Sequence, residues 1–201
     1  MPVTILPPRA RPTVALTLPG AGTALGVIAG ALEVLEEEID FEVVGGTSGG
    51  GLIALGLAYG LTPQQISVLL ATFLQRKDLL DKGWPFDDRP GLFRGARIEG
   101  FLKDTFKATR LGDLPKHVRV CVWDAWTRQP AVIDSREHPD VLVWRAARAT
   151  MAIQFFFDLV RLREDNARLY GDGGLVLNVP NGLFDDYTDI PTCLLYTSRC
   201  V

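Results

Sequence analysis

The apolar positions fall into short blocks whose spacing changes along the chain. Thr13–Leu18 (TVALTL) is β-branched and apolar and stops at Pro19-Gly20, which predicts a strand. Leu25, Ile28, Leu32 and Leu35 then recur at helical spacing, with Glu36–Glu38 as a solvated tail. Phe41–Gly46 predicts a second strand, and the small-faced apolar run up to Gly60 a second helix. Thr62-Pro63-Gln64-Gln65 has an N-cap threonine, a proline in the first turn and a glutamine closing a capping box. The third helix it starts is expected to reach about Arg76. A loop rich in Gly, Pro and Trp follows from Asp81 to Gly95, then a helix over Arg97–Ala108. Val118–Thr127 and Pro130–Ser135 predict paired strands around Arg128-Gln129, and Val141–Ala152 a helix. Ala167–Pro180 predicts a strand, a glycine turn and an extended segment. Strands alternating with helices, joined by one hairpin, indicate an α/β sandwich with a mixed sheet.

Composition changes this picture little. A chain of 201 residues is most simply one domain with a substantial core, and 47% apolar content is ordinary. A net charge of -3 without blocks of like charge gives no reason to expect a nucleic-acid partner. The proline-rich segment 1–12 lacks the charged and apolar regions of a signal peptide. No charge-free run approaches the roughly 18 residues of a membrane span, so a cytoplasmic location is expected. Two of the three cysteines, Cys193 and Cys200, lie in the last nine residues. Cys-Leu-Leu-Tyr-Thr-Ser can be encoded by the mosaic-end adapter of transposon-based sequencing libraries. Residues 193–201 are therefore expected to be a non-native tail. Cys121, in an apolar run, is expected to serve packing, with no disulfide framework.

Three glycine turns hold the candidate chemistry. Ser48 sits in Gly46-Thr47-Ser48-Gly49-Gly50, a G-x-S-x-G pattern between a predicted strand and a predicted helix. That is the context of a nucleophile elbow, where neighbours without Cβ let the chain bend and the following helix aims its N–H groups at a developing alkoxide. The same residues also suit a plain turn with serine as N-cap. Gly20-Ala21-Gly22 follows the first strand and can present consecutive N–H groups, as an oxyanion hole or an anion nest does. A phosphate loop is disfavoured, because no Gly-Lys-Ser/Thr follows and Leu25 breaks the dinucleotide register. His117 and His138 both read as surface residues, so Ser48 would need another base. Asp172, flanked by Gly171, Gly173 and Gly174, is the best candidate; an ordinary Asp-Gly turn is the alternative.

Together these turns resemble the patatin-like phospholipase family over roughly Val14 to Pro180. "GLFRGARIEGFL", "LGDLPKHVRVCVWDAWTRQPAV", "RAARATMAIQFFFDLV" and "YGDGGLVLNVP" agree with it in order and spacing. The resemblance implies a three-layer α/β/α sandwich with a mixed, mainly parallel central sheet over residues 13–192, incomplete at its C-terminus. It makes Ser48 the nucleophile, Asp172 its partner, Gly20, Ala21 and Gly22 the oxyanion turn, and Gly46, Gly50, Gly173 and Gly174 the motif glycines. Departures are visible too. The family's oxyanion turn usually has three glycines, a basic residue and another glycine, where this chain has Ala21, Ala24 and Leu25. Its Ser-x-Ala-x-Pro stretch is here Thr150-Met151-Ala152-Ile153-Gln154.

The implied activity is lipid acyl-ester hydrolysis through an acyl-enzyme, without cofactor or metal. Fatty-acyl esters or phospholipids would be the substrates, with transient contact to a membrane surface. Leu79, Leu80, Trp84, Phe86, Leu92 and Phe93 could line an acyl cleft or dip into a lipid interface, or simply form a small core under a long loop. The altered oxyanion turn motivates a second expectation, a binding or regulatory protein on this fold with impaired catalysis. An acyltransferase on a related scaffold is a third.

Overall fold

The computed structural model describes residues 10–81 and 92–196. Trp84, Phe86 and Cys200, together with most of segment 1–12, lie outside them. Among the described residues, seven strands form one sheet: β1 (Thr13–Leu18), β2 (Asp40–Thr47), β3 (His117–Asp124), β4 (Gln129–Asp134), β5 (Val160–Leu162), β6 (Arg168–Asp172) and β7 (Thr192–Leu194). The helices are α1 (Leu25–Leu35), α2 (Ser48–Tyr59), α3 (Pro63–Gln75), α4 (Ala96–Phe106) and α5 (Val143–Thr150). Local signals set several ends. Both capping-box bonds of Thr62 and Gln65 form at the start of α3, and Gly60 closes α2 in the left-handed region at φ 98°.

The sheet is mixed. Its β7-β1-β2-β3 half is parallel, whereas β4, β6 and β5 join by antiparallel pairing. The antiparallel part is broader than the single hairpin read from the sequence, because β5 and β6 extend it. β3 organises the molecule. One edge is taken by β4 from Arg119 to Asp124. The other edge is shared: β2 pairs with it up to Thr47↔Cys121, and β6 takes over at Asp172↔Val122. The end of β2 and the end of β6 therefore meet at consecutive residues of β3, which brings two segments 124 positions apart in sequence to one point.

Alternation along the strands divides the core. Leu16, Leu18, Val44, Val118, Val120 and Val122 face the helices, all five of which pack into one cluster. α2 is buried all round from Gly49 to Ala58, as a helix without a polar face must be. Ala15, Val43 and Cys121 face the other way, against Leu183 and Phe184. The third layer over the described residues is thus the turn-rich segment 177–190. Cys121 is fully buried, and burial pushes its thiol up to about 11, as suits a packing residue.

His117 is not a surface residue. Its side chain is 5% exposed, with Nε2 2.8 Å from Asp134 Oδ1 and Nδ1 against the Tyr187 hydroxyl. Arg119, two positions on, bonds both Asp134 and Asp186, so one polar cluster ties the third layer to β3. The polar residues flanking His117 in sequence hid this, because its partners come from β4 and the far segment. His138 is also partly buried, its Nδ1 accepting from the Asp134 N–H at 3.3 Å. At the sheet edge, Cys193 and Leu194 pair with Leu16 and Thr17, inside the segment expected to be a tail.

Candidate active site

The junction on β3 carries the site. β2 ends at Thr47 in extended conformation, and Ser48 turns sharply at φ 53°, a left-handed conformation unusual for a residue with a side chain. That bend lets α2 leave beneath the ends of β1 and β2. The close approach requires glycine: a β-carbon at Gly50 would lie 2.3 Å from the Pro19 carbonyl oxygen, and one at Gly46 2.6 Å from that of Leu18. Gly173 answers a similar demand on the other side, where a β-carbon would come within 2.7 Å of the Cys121 carbonyl.

Ser48 Oγ donates to Asp172 Oδ2 at 2.6 Å. The other carboxylate oxygen accepts from the Gly174 N–H at 2.7 Å, so both are held. Asp172 is 4% exposed. Burial raises its pKa, and the bonds from Ser48 and Gly174 pull only partly in the opposite direction. A buried carboxylate with a raised pKa, bonded to a serine hydroxyl at a strained turn, is equipped to accept that hydroxyl's proton.

The turn Gly20-Ala21-Gly22 stands beside them. The Gly20 N–H donates to the Asn178 carbonyl at 2.8 Å and is therefore committed. Ala21 has φ -118°, which any residue adopts, so its methyl costs no backbone strain. Gly22, at φ 51°, lies in the left-handed region that favours glycine. Leu25 begins α1 and is 3% exposed. A β-carbon at Gly49 would meet it at 2.2 Å, so Leu25 fills the space over the first turn of α2. Among the described residues, Asp172 is the one charged side chain lining the cleft of about 500 Å³ above Ser48.

Three supporting residues escaped the sequence reading. Thr150 Oγ1 accepts from the Ser48 N–H at 2.9 Å and donates to the Cys121 carbonyl at 2.7 Å, pinning the elbow to β3. Gln154, where the resemblance leads one to expect proline, donates to the Asp172 carbonyl at 3.0 Å, and the Asp172 N–H bonds Ala152. Asn178 lines the cleft and fastens the Gly20–Gly22 turn through its carbonyl. None sits in a glycine motif. Only the lack of a proline near Gln154 hinted at a local substitution.

A profile of the Patatin-like phospholipase family matches residues 16–185. The chain belongs to the patatin-like phospholipase family. Uncharacterized protein YqhO of Bacillus subtilis (strain 168) is 32% identical over 188 residues, covering 82% of this chain and 64% of that protein. A cGAMP-activated phospholipase of Pseudomonas aeruginosa (strain BWHPSA011 / Pa011) is 30% identical over 159 residues, covering 72% of this chain and 45% of its own length. The chain thus spans less than two thirds of these relatives. Among solved structures, VipD from Legionella pneumophila shares the fold at a TM-score of 0.67 and 16% identity, over 92% of this chain and 51% of VipD.

The patatin-like domain here has no helix among the described residues long and apolar enough to cross a membrane. Of the apolar residues expected to line a cleft, Leu79 is buried in the core, Phe93 is half-buried, and Leu80 and Leu92 are exposed. The described apolar residues that do line the cleft are Ile153, Phe155 and Leu175. Phe155 is 82% exposed and has φ 68°, a second strained residue at this site.

Proposed function

We propose that this chain hydrolyses fatty-acyl esters of lipids, with Ser48 as nucleophile and Asp172 as its base. The observation that carries the reading is the 2.6 Å bond between Ser48 Oγ and a buried carboxylate of raised pKa. Asp172 takes the proton as Oγ attacks the ester carbonyl, forming a tetrahedral oxyanion. The N–H groups of Ala21 and Gly22 and the first turn of α2 receive that charge, each donor contributing about 3 kcal/mol. Collapse expels the alcohol, which takes the proton from Asp172, and leaves Ser48 acylated. Water, deprotonated by the same carboxylate, then attacks the acyl group, and Asp172 returns the proton to Ser48 Oγ as the fatty acid leaves. The apolar rim of Ile153, Phe155 and Leu175 supports an acyl chain as the group bound and a lipid surface as its source.

Ser48→Ala and Asp172→Asn are each expected to abolish hydrolysis of a chromogenic fatty-acyl ester by the purified chain. Near-wild-type activity in either variant would falsify the dyad. A second reading, a binding protein with impaired catalysis, draws on the lack of a basic residue among the described residues that line the cleft. Covalent labelling by a fluorophosphonate separates the two. Rapid labelling at Ser48 supports the hydrolase; a folded chain that stays unlabelled supports the binder.

A further inference from the structure

Away from the Ser48 cleft, a second cavity of about 270 Å³ lies between α4, α5 and β5. Five arginines line it: Arg94, Arg145, Arg148, Arg161 and Arg163. Among the described residues the carboxylates lining it are Glu99 and Asp158, and Glu164 is bonded to Arg145 at 3.0 Å. Asp81 acts on Arg148 as well. Arg148 is the unusual member. It is 3% exposed, and its Nη2 donates to the carbonyls of Arg94 and Asp158 at 3.2 and 3.3 Å. Its Nη1 is buried with no hydrogen-bond acceptor among the described residues. Gly95 leaves the room the guanidinium occupies, since a β-carbon there would lie 2.2 Å from Nη2. A buried guanidinium with an unused donor is costly to maintain unless something accepts from it.

We propose that this cavity binds a phosphate-bearing group, with Arg148 as the buried donor and Arg161 and Arg163 closing on the anion from the outside. Guanidinium forks match phosphate oxygens, and a cavity of this size suits one phosphate with a small substituent. The place favours communication with the cleft. Residues 92–94 pair with 155–158 through Leu92 N–H to Phe155 O at 3.0 Å and Phe93 N–H to Phe156 O at 2.7 Å. One end of that ribbon, Phe155, lines the Ser48 cleft; the other, Arg94 and Asp158, lines the arginine cavity. Arg148 also lies two residues before Thr150, which holds the Ser48 N–H. The phosphate can come from a lipid headgroup or from a soluble phosphorylated molecule.

The test uses the 201-residue chain carrying Ser48→Ala, so that binding is read without turnover and independently of the catalytic reading. Calorimetric titration with inorganic phosphate and with glycerol phosphate, at ionic strength matched with chloride, is expected to show saturable binding. Arg161→Gln/Arg163→Gln is expected to weaken it about tenfold or more, and Arg148→Gln similarly. The double variant alters outer arginines, so it remains informative if Arg148→Gln fails to fold. Phosphatidate vesicles are compared with vesicles of equal charge made with a fatty acid. Arginine-dependent preference for phosphatidate without soluble binding assigns a headgroup; arginine-dependent soluble binding assigns a free ligand. Absence of both, or binding untouched by the arginine substitutions, overturns the proposal.

Discussion

In the proposed mechanism, Asp172 sets the chemistry and the pH response of the site. Its pKa in the folded chain is raised, chiefly by burial, above the roughly 3.9 of an unfolded aspartate. A raised carboxylate favours folding while it is protonated, below the unfolded value, and that contribution is lost as pH rises through the folded value. At neutral pH the ionised Asp172 therefore costs stability, and Asp172→Asn is expected to raise the midpoint of thermal unfolding at pH 7. A lower midpoint than wild type would contradict this sign. The same shift places the acid limb of kcat/KM above the ordinary aspartate range, because the base must be ionised; a pH profile on a soluble ester reads it directly. Ala21→Gly is expected to leave kcat/KM within about twofold, since φ -118° asks nothing of a glycine. A large gain would mean that the turn rearranges during turnover.

The elements matter through their junction. β2 and β6 share one edge of β3, and Gly173 is the residue whose missing side chain lets β6 arrive there. Gly173→Ala is expected to cost about 1–3 kcal/mol in chemical unfolding, as overpacking against backbone does, and more in activity because Asp172 would move away from Ser48. Thr150→Ala removes two buried bonds at once, one to the Ser48 N–H and one to the Cys121 carbonyl. A loss of about 1–3 kcal/mol with a fall in kcat/KM is expected; stability loss with unchanged kcat/KM would show that the elbow holds without it.

At the scale of the whole molecule, the sheet depends on a layer built from turns. Leu183 and Phe184 cover Ala15, Val43 and Cys121, and Arg119 fastens the same segment through Asp186. Phe184, fully buried, is expected to cost about 3–5 kcal/mol when truncated to alanine. Denaturant unfolding followed by fluorescence measures this. A small effect would show that the segment packs on the sheet without supporting it.

The sequence by itself determined the local matters. β1 occupies the residues its pattern predicted, α3 begins at its capping box, and the glycine turns bend where their lack of side chains allows. These depend on spacing and on backbone freedom, which neighbouring residues carry. Asp172 was the best candidate base for Ser48 on residue type, and only the family resemblance made the pairing specific, because nothing within either turn refers to the other. Tertiary structure alone decided the roles of Thr150, Gln154 and Asn178, the burial of His117 and the gathering of the arginines around Arg148. Each of these rests on a register or a packing contact between distant segments, and side chains that meet that way leave no periodic trace in the chain.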